Sequence, residues 1–158
     1  LLPNKELLEK RSGITQWWLL TRPRNWQFTR QPRLFSNRFG NSNSFAFDKS
    51  GNCVIEEGNA FIPKREIPLS DYYFYLSCFS SNIFDRLLSI YSKPIMSGFD
   101  LGKIQIKSIP IPNINNNNLR EDGAYLKLVE LGKELEKGNL FVKPVIDDIL
   151  KSFFYPNF

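Results

Sequence analysis

Residues 71–92, DYYFYLSCFSSNIFDRLLSIYS, constrain the fold more than any other stretch of the chain. Tyr72, Leu76, Phe79, Ile83, Leu87 and Ile90 recur at spacings of three and four, which is the period of one helical face. Most of their neighbours are apolar as well, so the helix predicted here has to be covered on more than one side. Ser70 is placed to cap its start and Pro94 to stop it. The rest of the chain must therefore supply layers around this segment. It has the means: 158 residues, 42% apolar and 15% aromatic with fourteen Phe, are enough for one ordinary core and too apolar for disorder.

The flanking sequence changes its period on either side. Upstream, Arg33–Arg38, Ser44–Phe47, Cys53–Ile55 and Ala60–Ile62 have strand character. Turn residues separate them at Asn41-Ser42-Asn43 and at Asp48–Asn52, where Gly51 and Asn52 can take positive φ. Phe45 and Phe47 alternate on one strand and are expected to face the core together. Downstream, residues 95–103 read as a loop. Ile104, Ile106 and Ser108 then alternate with Gln105, Lys107 and Ile109 as a half-buried strand that Pro110 and Pro112 end. Asn115–Asn118 is a polar linker. A helix over 120–137 carries Ala124, Leu128, Leu131 and Leu135 on one face and stops at Gly138. Pro144 opens a last helix with Val145, Ile146, Ile149, Leu150, Phe153 and Phe154 inward. The expected class is α+β: a small, twisted, mostly antiparallel sheet on one long buried helix, followed by a C-terminal helical pair. Residues 1–13 read as the end of an upstream helix or linker, 14–114 as the principal domain and 115–158 as a C-terminal helical segment.

The net charge of +5 is unevenly placed. Residues 1–65 hold eleven Lys/Arg against five Asp/Glu, whereas 66–158 hold ten against eleven. No acid lies between Glu9 and Asp48, and beyond Lys10 the cations of that window are all arginine: Arg11, Arg22, Arg24, Arg30, Arg33 and Arg38. Six arginines cannot all be buried without partners. A guanidinium suits two-pronged contacts to phosphate and to guanine edges, so a nucleic acid is the expected partner.

The usual catalytic groups are missing. There is no His, and neither a nucleophile elbow nor a phosphate-cradling Gly-rich loop with Lys occurs. A methyltransferase would need a glycine-rich turn for S-adenosylmethionine and, for adenine N6, an Asn/Asp-Pro-Pro-Tyr-like tetrapeptide against the flipped base; neither is present. Cys53 and Cys78 make no disulfide framework and no metal spacing. No apolar run approaches the length of a membrane span, and there is no signal-like segment. Beginning Leu1-Leu2-Pro3, the chain reads as part of a longer cytoplasmic protein, with no catalytic residue, metal or cofactor of its own.

An ordered series of motifs adds to this. Trp17-Trp18-Leu19-Leu20-Thr21-Arg22-Pro23-Arg24 precedes Gln31-Pro32-Arg33-Leu34-Phe35 and Arg38. Phe45-Ala46-Phe47-Asp48 and Ala60-Phe61-Ile62-Pro63 follow, then Asn82-Ile83-Phe84-Asp85 within the aromatic helix, and Ile109-Pro110-Ile111-Pro112. Over about residues 14–115 the series resembles the TaqI-like C-terminal specificity domain of type II adenine-N6 DNA methyltransferases and fused restriction-modification enzymes. Where that family carries Lys-Pro-Lys, this chain has Gln31-Pro32-Arg33, one charge fewer. Where it carries Phe-Ala-Tyr-Asp, Phe47 replaces the tyrosine. The resemblance implies a bacterial DNA target-recognition domain. It also implies an upstream catalytic domain of the same chain that binds S-adenosylmethionine and methylates adenine.

Eight residues are the expected contacts to double-stranded DNA. Arg22 and Arg24 flank Pro23, which stiffens their backbone for phosphate contact. Arg33 and Arg38 lie on or beside strands. The run Arg38-Phe39-Gly40-Asn41-Ser42-Asn43 offers a forked donor, a small residue for close approach and the amides of Asn41 and Asn43, which suit guanine and adenine edges. Lys103 and Lys107 are expected at phosphates. Two other classes fit the same composition: a non-catalytic protein-interaction or scaffold domain with a basic docking face, and a module for RNA or single-stranded DNA, which would rely more on exposed aromatics.

Overall fold

The computed structural model describes residues 2–12, 16–18, 29–55, 57–96, 98–114, 119–153 and 155. They fall into two compact units, Leu1–Arg30 and Gln31–Phe158. The first unit contains a 3-10 turn, Leu2–Asn4, and a short helix α1, Lys5–Glu9. Arg11 donates to the Leu8 and Trp17 carbonyls, and the two indoles of Trp17 and Trp18 meet edge to face at 5.5 Å.

The second unit is α+β, as its alternating periods require. Strand β1, Arg33–Asn37, lies between β3, Phe45–Asp48, and β4, Gly58–Phe61, in an antiparallel sheet of order β3-β1-β4. Leu34 pairs with both Phe47 and Phe61, and Ser36 with Phe45 and Asn59, so these six residues share one face. That face packs on helix α2, Leu69–Phe79: Phe45 stacks on Phe79 at 5.0 Å and Phe47 on Tyr72 at 5.2 Å. Cys53–Ile55, expected as a strand, is irregular, and its loop is held instead by Asp48. The Asp48 carboxylate accepts from the backbone N–H groups of Ser50, Gly51 and Cys53 and from the Ser50 hydroxyl. Burial alone would raise this carboxyl, but the four hydrogen bonds outweigh it and hold it below the ordinary range. Gly51 has φ 69°, and a Cβ there would lie 2.4 Å from the backbone of Gln31, so glycine is required on both counts. Asn52 does not share the positive φ.

The single long helix expected over 71–92 is two helices, α2 and α3, Asn82–Tyr91. Ser80 and Ser81 divide it. The Ser81 hydroxyl donates back to the Cys78 carbonyl and accepts from the Phe84 N–H, ending one helix and capping the next. The predicted stripe stays inward from Tyr72 to Leu87, but Ile90 is exposed. Ser70, expected as a cap, lies inside α2, whose N-cap is Pro68.

A second small sheet follows where a loop is expected. Strands β2, Phe39–Gly40, β5, Pro94–Ile95, and β6, Gly98–Asp100, pair antiparallel in the order β2-β6-β5. Residues 104–109 are expected as a strand, but 104–107 belong to helix α4, Lys103–Lys107, with Gly102 as N-cap. The helix buries Ile106 and leaves Ile104 outside, whereas a half-buried strand would have hidden both. Helices α5, Gly123–Glu136, and α6, Lys143–Phe153, complete the unit, with Gly138 at φ 86° after α5. Ile146 and Leu150 of α6 are buried and Val145 is exposed. The segment 115–158 is not packed apart: Leu128, Val129, Ile146 and Leu150 belong to the same core as Leu34, Phe45 and Phe74. Helix α5 comes so close to α2 that a Cβ on Gly132 would lie 2.2 Å from the Tyr73 carbonyl oxygen. Nearby, Arg120 and the Tyr125 hydroxyl both donate to the fully buried Asp71. Of the two thiols, Cys53 is exposed and Cys78 buried. No helix among the described residues is long and apolar enough to cross a membrane.

Candidate nucleic-acid interface

The turn between β1 and β3 is built from its own side chains. Asn41 caps the 3-10 turn Ser42–Ser44: its carboxamide oxygen accepts from the Asn43 N–H at 2.9 Å, and the Ser44 hydroxyl accepts from the Asn41 N–H at 3.1 Å. The side-chain oxygen of Asn41 is thus committed to the turn. Asn43 is exposed at the turn's centre.

Just before this turn, Arg38 is exposed, with its guanidinium 4.9 Å from the Phe39 ring centroid and 3.6 Å from Glu57. Glu57, just before β4, thus supplies a countercharge from outside the acid-free window. Both side chains of that pair are more than half exposed, at 59% and 74%, so it is loosely held and can exchange for another anion.

Arg33 corrects an expectation. It is fully buried, and its guanidinium donates to the carbonyls of Gln31 and Gly51 at 3.0 and 2.8 Å. Two backbone carbonyls are among its partners, so this fully buried arginine serves the hairpin loop and presents nothing to a ligand. Arg22 and Arg24 lie outside the described residues.

Backbone hydrogen bonds gather the remaining cations around the second sheet. The Leu101 N–H donates to the Arg38 carbonyl at 2.9 Å, and the Asp100 N–H to the Lys93 carbonyl at 3.0 Å. These two bonds bring the Arg38 corner, Lys93 and the start of α4 into one neighbourhood. Lys103 and Lys107, at the two ends of α4, are exposed, and so is Lys93. The β2–β6 register puts Phe39 opposite Asp100, and β5–β6 puts Ile95 opposite Gly98. Phe39, Ile95 and Asp100 therefore share the face that does not carry Phe99, and Met96, at the hairpin tip, is fully exposed. Sequence reasoning took 95–103 for a loop and missed this hairpin, in which Gly98 takes a positive φ of 134°.

A third group, also missed, lies behind the turn. Asp85, on α3, accepts from both the N–H and the hydroxyl of Ser42 at 2.7 Å. Lys143, at the start of α6, reaches the Ser42 hydroxyl at 3.3 Å and the Asn43 side-chain oxygen at 2.6 Å. Burial pushes the Lys143 amine below the usual lysine range, against the opposing pull of Asp85 and Asp147. A cleft of about 180 Å³ opens beside it, lined among others by Ala46, Phe47, Glu136 and Leu140. That is smaller than the ~300–1,000 Å³ of ordinary small-molecule sites. Among the described residues no group of three His, Cys, Asp or Glu could hold a metal ion.

No family model matches this chain, and no curated protein matches it either.

Proposed function

We propose that the chain is the DNA target-recognition module of a bacterial, cytoplasmic adenine-N6 DNA methyltransferase or fused restriction-modification enzyme. In this reading the S-adenosylmethionine site and the catalytic residues belong to an upstream domain of the same protein, and the partner of this module is double-stranded DNA. The observation that carries it is the gathering of Arg38, Lys93, Lys103 and Lys107, all exposed, around an amide-bearing turn and an exposed hairpin tip. Cations at such positions engage phosphates, while turn amides reach base edges. The ordered motifs over residues 14–115 point the same way.

The test is anisotropy of a labelled duplex titrated with the full chain at several salt concentrations. Engagement of about three to six phosphates gives a log K against log [salt] slope of roughly −3 to −5. A slope near zero refutes the reading. The fully exposed Met96 and the largely exposed Ile104, set among the same lysines, favour a second reading as a docking domain for an acidic protein partner. Retention of duplex DNA in the presence of excess polyglutamate separates the two.

A further inference from the structure

We propose that Met96 acts as a wedge: on binding, its side chain enters between two stacked base pairs and kinks the duplex there. The inference rests on the DNA-recognition reading and names how that surface would deform its ligand.

Met96 stands fully exposed at the tip of the β5–β6 hairpin, and the hairpin beneath it is braced. Gly98, with φ 134°, lies so close to β2 that a Cβ on it would collide with the Gly40 carbonyl. At the base of the hairpin the Asp100 N–H donates to the Lys93 carbonyl, and the Ser92 hydroxyl donates to the Asp100 carbonyl. The Asn59 carboxamide, on β4, donates to the Leu101 carbonyl at 2.9 Å and ties the end of the hairpin to the first sheet. The backbone thus holds an apolar side chain out in water. Its exposure costs free energy that burial in a ligand would recover.

The surroundings indicate the ligand. Asp100 is the one acid between Arg86 and Arg120, and its carboxylate accepts the Gly102 N–H at 2.8 Å. Lys93, Lys103 and Arg38, the last loosely paired with Glu57, are exposed around the hairpin. The tip is therefore set in positive charge and suits a polyanion. It is also narrow: Ile95 on one side is half-buried, and Gly98 on the other has no side chain. One thioether chain covers far too little area for a stable protein interface. It does fill the gap between two base pairs, and methionine is among the side chains that unstack a step in this way. Unbranched and polarizable, it adapts to a flat slot. The cations beside it would draw in the phosphates of the kinked backbone, which offsets the cost of unstacking.

In the experiment the full chain selects duplexes from a pool with a randomised core, and the retained duplexes are probed in two ways. Permanganate oxidises thymines whose faces have come unstacked, and the gel mobility of circularly permuted fragments reads a bend. The easily kinked steps, TA and CA/TG, all carry a thymine, so a wedge at any of them is visible. The wild-type complex should show one reactive step and a bend of about 20–90° centred on it. Met96→Ser should abolish the reactive thymine and most of the bend, yet leave the slope of log K on log [salt] unchanged, because the phosphate contacts persist. Met96→Leu should keep both signals. Met96 is fully exposed, so neither change disturbs the core. A wild-type complex that is straight with no reactive thymine, or a Met96→Ser complex bent like wild type, overturns the inference while the recognition reading stands. If the wild-type chain retains no duplex, both fall, and its retention on immobilised polyglutamate would then assign the tip to an acidic protein.

Discussion

Helix α2 has two neighbours that hold it in different ways. Toward the first sheet it meets rings: Phe45 and Phe61 against Phe79, and Phe47 between Tyr72 and Tyr73. Toward α5 it meets backbone and buried polar groups. Gly132 leaves room for the Tyr73 carbonyl, the Ser77 hydroxyl donates to the Leu128 carbonyl at 2.7 Å, and Asp71 receives Arg120 and Tyr125. Ring contacts are non-directional and can shift to fit a changed neighbour. A carbonyl against a missing Cβ, or a carboxylate with no water around it, has no such freedom. The α5 side should therefore be brittle and the sheet side forgiving.

The largest expected effect is on the α5 side. Arg120→Ala leaves Asp71, which has no solvent exposure, with the neutral Tyr125 hydroxyl as its side-chain partner among the described residues. The Arg120 side chain is 42% exposed, which discounts the pair for solvent screening, and the loss should be about 2–4 kcal/mol in urea unfolding. Asp71→Asn should cost less than Arg120→Ala, since the stranded arginine can turn to water; the reverse order would show that the pair is not what joins these helices.

Gly132→Ala comes next, at roughly 1–3 kcal/mol, because the added methyl forces α2 and α5 apart. A neutral result would mean that the helices slide easily and that the contrast with the sheet side is false.

Asp48→Asn is the corresponding test within the sheet, where directional bonds hold a loop. The amide can accept at one atom but not at both, so a loss of about 1–2 kcal/mol is expected. The effect should also depend on pH in one direction. The folded carboxyl lies below its unfolded value, so its stabilisation is complete above the unfolded value of 3.8 and is lost as pH falls through the folded one. Wild type and variant should converge in acid when midpoints are measured from neutral pH to about pH 3. A constant gap would show that the charge plays no part. The smallest effect is Phe47→Leu, on the forgiving side, about 1 kcal/mol in the same assay. A loss as large as that of Arg120→Ala would erase the comparison.

The parts of this fold that the sequence makes legible are those where a residue's role is local. Gly51 and Gly138 announce their positive φ, and Ala124, Leu128 and Leu131 repeat at the helical period and are buried. The misreadings arise where the deciding partner is remote. Ile104 and Ile106 are two apart in a strand and also in a helix of five residues, and only packing against the core shows that one of them is left outside. Ser80-Ser81 can continue a helix or divide it, and the backbone hydrogen bonds of Ser81 divide it. Among the site residues, Arg38, Asn43, Lys103 and Lys107 are exposed. Arg33 misleads because it is fully buried with backbone carbonyls among its acceptors, and carbonyls leave no trace in composition. Lys143 goes unnoticed because nothing near Pro144 points to Asn43.

The two cysteines give this protein a built-in chemical clock. Cys53 stands exposed on the loop tied to Asp48, while Cys78 is buried in α2 and its thiol is pushed up by that burial. A maleimide should thus tag the native molecule once, within its first exposure to the reagent. The second tag can arrive only when α2 opens to solvent, so counting doubly tagged molecules by mass over time records how often the centre of the protein comes apart, with no engineered probe.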